Sequence, residues 1–189
     1  MTWHDLTACV SGMWSPQIGD PTLMGWATVV AYVLATILAL LTLIKGARRQ
    51  RFFWFVLTAL LFLLAINKQL DLQSALTAAG RCLANAQGWY DNRRVVQVIF
   101  ISAIAMIALI TALTLAWTMR RDLGRIWLAL VGVIFLLAFV AIRAAGFHHF
   151  DWFIGYQVAG IRMNWILELG GITLIAANAL FLLLRRPQY

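Results

Sequence analysis

The side chains of this chain that could bind a metal ion lie close together in its last third. Two of its three histidines, His148 and His149, are followed by Asp151. Zinc accepts imidazole nitrogens and carboxylate oxygens as ligands, and a catalytic zinc keeps one open position. These three residues are the predicted metal ligands, and a divalent metal such as zinc is the predicted cofactor.

The adjacency of the two histidines limits such a site. Neighbouring side chains project about 100° apart on a helix and in opposite directions on a strand. Both imidazoles therefore bind one ion only if the backbone is irregular, and one histidine with Asp71, Asp151 or Glu168 is the workable set. The alternative is that the histidines lie at the membrane interface, hydrogen-bonded to neighbours or to lipid headgroups.

The acidic residue with the most unusual setting is Glu168, which lies about five residues inside an apolar run. At 1.5 Å per residue this is a depth of roughly 7–8 Å. An ionisable group there is costly unless it is paired, and it should face the interior of a bundle. Its candidate partners are Lys68, Arg143 and Arg162. Two interpretations remain open, an ion pair that fixes helix packing and a ligand, proton carrier or general base.

Acid–base chemistry and anion binding complete the predicted site. The predicted catalytic residues are Asp71, His149 and Glu168, since each could carry a proton. Arg93, Arg94 and Arg143 are the predicted substrate-binding residues, because guanidinium groups bind phosphate or carboxylate in a bidentate manner.

Five long apolar runs must position these residues. The chain is 63% hydrophobic and 12% charged, and about 20 apolar residues cross a hydrocarbon core of roughly 30 Å. We predict an all-α integral membrane protein with five transmembrane helices in one bundle. The predicted spans are residues 23–44, 52–70, 95–119, 126–143 and 163–184.

The distribution of charge predicts the orientation. Nine basic residues and one acid fall on one side of the five spans, whereas six basic and six acidic residues fall on the other. The positive-inside rule makes the first side cytoplasmic. We therefore expect an outer N-terminal arm (1–22), a membrane domain (23–186) and a cytoplasmic tail (187–189), in a bacterial inner membrane with the polar site facing outward.

Two further features belong to the outer side. An apolar stripe predicts a short interfacial helix around Leu72–Ala86, between the second and third spans. Cys9 and Cys82 are the only cysteines, and both fall in a compartment that can be oxidising. A disulfide between them is one interpretation, and two unrelated small apolar residues are the other.

Three functions fit these patterns. The first is a metal- or acid/base-dependent enzyme acting on a lipid or amphiphile at the outer face. The second is a non-catalytic subunit or assembly factor of a membrane complex, and the third is a carrier for a small anionic solute. The expected partners are the lipid bilayer and a membrane protein or a second copy of the chain. Nucleic acid is not expected, because no basic–aromatic module accompanies the positive charge.

Overall fold

The computed structural model describes residues 3–15, 21–70, 72–145, 157–158 and 161–185. Within these ranges the chain is all-α, with seven α-helices and one two-residue strand pair. The helices are α1 (Trp3–Met13), α2 (Leu23–Lys45), α3 (Arg51–Leu70), α4 (Leu72–Gln87), α5 (Arg93–Thr118), α6 (Leu123–Ala145) and α7 (Met163–Leu184). The strands β1 (Gln157–Val158) and β2 (Ile161–Arg162) pair in antiparallel fashion just before α7.

Four helices, α2, α3, α6 and α7, are long and apolar enough to cross a membrane. Large apolar side chains such as Val30, Leu34 and Ile37 stay exposed on the outside of the protein. Faces of this kind contact bilayer lipid, as expected for membrane spans. The described apolar stretch of α5 is Ala105–Thr118, so the fifth span remains a prediction.

The start of α2 shows how the local sequence sets a helix boundary. Thr22 has an extended backbone, and its Oγ1 accepts a hydrogen bond from the Gly25 amide at 3.1 Å. This N-cap satisfies one of the amides that a helix leaves unpaired in its first turn.

The last helix, α7, is at the centre of the packing. It packs extensively against α2 and α6, α3 packs against α2, and α5 packs against α6. The contacts at Tyr32–Glu168 and Thr42–Ala179 show that α2 and α7 run in the same direction. The resulting core contains large buried side chains from each of the four apolar helices, including Phe53, Leu57, Ile126, Leu136 and Ile175.

Two glycines let α6 and α7 approach closely. A Cβ atom built on Gly132 would lie 2.6 Å from the carbonyl oxygen of Gly171, and one built on Gly171 would lie 2.8 Å from Cγ of Leu136. Neither position has room for a side chain. Close contact between small residues is the usual basis of helix packing in membranes, where lipid tails are as apolar as leucine.

The connections α2–α3 and α5–α6 lie at the same end of the bundle. Arg49 Nε, in the first, is 3.2 Å from Asp122 Oδ2, in the second. We call this end of the bundle the basic end, because among its described residues eight are basic and only Asp122 is acidic. They are Lys45, Arg48, Arg49, Arg51, Arg120, Arg121, Arg125 and Arg185.

The helix predicted after the second span is present as α4, at Leu72–Gln87, and its interfacial location remains a prediction. It packs against α1. A disulfide joins Cys9 of α1 to Cys82 of α4, with the Cα atoms 6.2 Å apart. The disulfide interpretation of the two cysteines is therefore confirmed.

A cleft of about 270 Å³ opens between α3, α5 and α6. All of its lining side chains except one threonine are apolar. They are Val56, Leu57, Leu60, Ile107, Thr111, Ala112, Leu115, Val133 and Leu137.

Candidate functional site: a buried ion pair between three helices

The more buried of the two ion pairs among the described residues joins α3 to α7. Lys68 Nζ lies 3.0 Å from Glu168 Oε2, and the two side chains are only 7% and 2% exposed. Of the three partners expected for Glu168, the structure shows Lys68. The predicted pairing is confirmed in this form, because a buried carboxylate is stable only with a counter-charge or hydrogen-bond donors.

A third helix contributes to the same carboxylate. The hydroxyl of Tyr32, on α2, donates a hydrogen bond to Glu168 Oε1 at 3.2 Å, and Tyr32 is 1% exposed. Both carboxylate oxygens of Glu168 are thus engaged, one by an ammonium and the other by a phenol. We call Tyr32, Lys68 and Glu168 the buried cluster.

Two hydrogen bonds between α2 and α7 show that their register is the same along both helices. Tyr32 and Glu168 are 136 positions apart, and Thr42 and Ala179 are 137 positions apart. Because parallel helices have the same rise per residue, Tyr32 and Glu168 lie at nearly the same height, and the phenol crosses directly to the carboxylate. Lys68 reaches it from the last turn of α3.

A second buried polar contact ties α6 to α7 nearer the basic end. The side-chain amide of Asn178 donates to the Arg125 carbonyl oxygen at 2.8 Å, and its Oδ1 accepts from the Ala129 amide at 3.0 Å. These two backbone groups are four residues apart on α6. The carboxamide therefore bonds one donor and one acceptor of the α6 backbone, and these two bonds fix the register of the two helices.

The remaining predicted site residues are only partly described. Arg93 and Arg94 are the first residues of α5, and Arg143 is in the last turn of α6. These positions lie at the end of the bundle opposite the basic end, as Lys68 and Glu168 do. Asp71, His148, His149 and Asp151 lie outside the described residues.

No metal centre is visible in the part of the chain that the structure describes. Within it, His, Cys, Asp and Glu side chains form no group of three or more that could hold an ion. The predicted ligands His148, His149 and Asp151 fall outside that part, so the metal site remains a prediction.

Sequence reasoning missed Tyr32 and the role of Asn178. A signal for the first was available, because Tyr32 is the only one of the four tyrosines that falls within an apolar run. A buried tyrosine usually finds a partner for its hydroxyl, so it could have been matched with the one deep carboxylate. Asn178 was visible as a polar residue within the last span.

The chain matches no protein-family model, and comparisons with curated proteins and with solved structures find no match. Its function is inferred from the contacts and charges described above.

Proposed function

We propose that the chain is a five-span protein of a bacterial cytoplasmic membrane, with its N-terminus outside and its C-terminus inside. The charge at the basic end supports this orientation, because basic loops stay in the cytoplasm. The disulfide supports it independently. Cys9 and Cys82 bracket α2 and α3, and disulfides persist in oxidising compartments outside the cytoplasm.

Within that membrane we propose that it acts as a non-catalytic subunit or assembly factor of a protein complex. The observation that carries this proposal is the complete engagement of Glu168 inside the bundle. Its oxygens face Lys68 and Tyr32, and its exposure is 2%. A carboxylate that serves as a general base must reach the proton that it removes. A carboxylate enclosed in this way instead holds three helices together.

The test is made in the native membrane with an affinity-tagged chain. The protein is extracted in a mild detergent, and the mass of its complex and the ratio of its components are measured. We compare wild type with the Lys68→Met/Glu168→Gln double variant, which removes both charges. We expect a fixed-ratio partner that both proteins retain, since the ion pair serves the fold of the bundle.

Two results would overturn the subunit proposal. One is a purified wild-type complex whose protein mass is that of one chain, 21.2 kDa, or a multiple of it, in both detergent and nanodiscs. The other is a folded double variant that keeps its partner but loses the cellular function of the wild type. The second result would show that the charges themselves work in that function.

An enzyme acting on a lipid or amphiphile at the outer face is the second candidate. The observation that favours it is the convergence of the ends of α3 and α6 and the starts of α5 and α7 at one end of the bundle. In this candidate Asp71, His149 and Glu168 are the proposed acid–base groups. Arg93, Arg94 and Arg143 are the proposed substrate-binding residues, and His148, His149 and Asp151 are the proposed ligands of a divalent metal such as zinc.

Metal content tests this second candidate. The purified protein and its His148→Ala/His149→Ala variant are analysed for zinc, iron and copper after incubation with each metal. Near-stoichiometric metal in the wild type and its loss from the folded variant would favour the enzyme. A wild-type protein that stays empty after reconstitution would remove the proposed metal centre.

A further inference from the structure

We propose that the cleft between α3, α5 and α6 binds an acyl chain of an anionic phospholipid whose phosphate lies at the basic end. This site is at the opposite end of the bundle from the buried cluster. The proposal of a lipid site requires that the helices lie in a membrane, and it does not depend on the subunit proposal.

The chemistry of the lining fits a hydrocarbon chain. Its one polar side chain is Thr111, whose hydroxyl donates to the Ile107 carbonyl oxygen of its own helix at 2.8 Å. The lining therefore offers methyl and methylene groups to an occupant, with no polar partner to be satisfied. Water gains little in such a place, whereas apolar molecules bind readily in apolar cavities.

The size of the cleft selects between apolar occupants. Its volume of about 270 Å³ exceeds that of a cavity of roughly 150 Å³ that takes benzene. A partner helix is about 10 Å across with its side chains, so even two of its turns need more space than the cleft offers. An acyl chain is narrow enough to enter between the helices.

The depth of the cleft places its occupant in one leaflet. The lining residues of α3 begin with Val56, five residues after Arg51, and those of α5 end with Leu115, five residues before Arg120. At 1.5 Å per residue, the cleft begins about 8 Å from both arginines. One leaflet contributes about 15 Å of hydrocarbon. A lipid with its phosphate at these arginines thus has its chains at the height of the cleft.

The charge at the basic end selects the headgroup. Arg51 is the first residue of α3, and Arg120 lies two residues after the last residue of α5, where its guanidinium is 4.9 Å from the ring centre of Trp117. Asp122, the one acid of the described basic end, is paired with Arg49. An anionic phosphate is thus the group that complements this end of the bundle, because guanidinium groups bind phosphate well.

Native mass spectrometry tests the proposal on the purified, detergent-solubilised full chain. The probes are phosphatidylglycerol and phosphatidylcholine with identical acyl chains, titrated separately. Ala112→Phe fills the cleft, and Ser102→Phe is its control, since Ser102 is exposed on the same helix outside the lining. Arg120→Gln removes a charge at the basic end, at the height of the headgroup. Arg185→Gln is the matched control, because Arg185 also stacks on a ring, that of Phe181 at 4.1 Å.

We expect the wild type to retain phosphatidylglycerol in preference to phosphatidylcholine. Ala112→Phe should lose both lipids, and Arg120→Gln should weaken phosphatidylglycerol binding about fivefold, as expected for one basic residue near a membrane surface. The two controls should behave as wild type. Equal retention of the two lipids by the wild type would overturn the headgroup assignment.

Other outcomes would reassign the cleft itself. Unchanged binding by a folded Ala112→Phe variant would show that the lipids sit elsewhere. A dimer that this variant abolishes would show that a second copy of the chain covers the cleft. If Ala112→Phe fails to fold, the comparison of Arg120→Gln with Arg185→Gln still decides, since equal effects of the two substitutions would refute a localised phosphate site.

Discussion

Replacing Glu168 by glutamine should destabilise the bundle strongly even though the shape of the side chain is preserved. Glutamine keeps Oε1 as an acceptor for Tyr32, but it removes the negative charge opposite Lys68, whose side chain is 7% exposed. Breaking a buried ion pair by removing one partner costs about 3–5 kcal/mol, because the other charge stays buried without compensation. For a protein of this size we expect a fall in Tm of about 6–20 °C.

The companion substitutions complete a double-mutant cycle. Lys68→Met alone should lower the free energy of unfolding by about as much as Glu168→Gln does, since it leaves Glu168 charged and buried. The Lys68→Met/Glu168→Gln variant has no buried charge, and its main remaining cost is one unsatisfied amide donor, about 1–3 kcal/mol. The double variant should therefore be more stable than either single variant. The free energy of unfolding of the wild type, the two single variants and the double variant is measured by reversible unfolding in mixed micelles, followed by circular dichroism.

Additivity would refute this reasoning. If the double variant loses the sum of the two single losses to within about 0.5 kcal/mol, the two residues do not interact directly. Glu168→Gln with wild-type stability would show that the carboxylate is not held as a buried charge. Either result would also remove the observation on which the subunit proposal rests.

Three further substitutions test other contacts. Gly132→Ala should lower stability by about 1–3 kcal/mol, because its Cβ would overlap the facing backbone. The control Gly170→Ala, which has no atom within 4 Å of its Cβ, should be neutral or slightly stabilising. Thermal unfolding measures the stability of both variants. Asn178→Ala should cost about 1–3 kcal/mol in the same assay, since it removes two hydrogen bonds between α7 and the backbone of α6, each worth about 0.5–1.5 kcal/mol. Cys82→Ala should abolish the mobility difference between reduced and non-reduced gels. It should also weaken the docking of α1 on α4 by at most about 4 kcal/mol, the loop-closure value for a separation of 73 residues, which limited proteolysis measures.

Each of these predictions has a contrary result. Equal effects of Gly132→Ala and Gly170→Ala would mean that α6 and α7 do not cross at the glycine. A neutral Asn178→Ala would show that the two hydrogen bonds of the carboxamide do not stabilise the contact between α6 and α7. Cys9 and Cys82 that are both alkylated without prior reduction would exclude the disulfide.

The five long apolar helices and α4 could be predicted from the sequence to within about three residues at each end, because apolar length and charged boundaries determine where such helices start and stop. The helix α1 was not predicted, because residues 1–22 contain no long apolar run. The candidate site was harder to predict. The depth of Glu168 indicated that it needs a partner, but three basic residues could reach it. Choosing Lys68 required the order in which helices pack, and hydropathy carries no information about that order.

The contacts that the sequence did not predict depend on neighbours rather than on the residue itself. Tyr32 meets Glu168 because α2 and α7 run side by side in the same direction. Gly132 is indispensable because Gly171 lies opposite it, and either glycine alone is compatible with many packings. The hydrogen bonds of Asn178 to the backbone of α6 could be predicted only if the register of α6 and α7 were known.

The central position of α7 has a consequence for the biogenesis of the protein. This helix is synthesised after the other described helices, yet α2 and α6 both pack against it. Glu168 follows Lys68 by 100 residues, which corresponds to about 5–20 s at ribosomal rates of 5–20 residues per second. During that interval α3 carries an ammonium group for which the nascent chain has not yet produced the carboxylate. The hairpin of α2 and α3 must therefore wait with Lys68 in contact with water, lipid headgroups or the insertion machinery, and the buried cluster closes only after α7 has been synthesised.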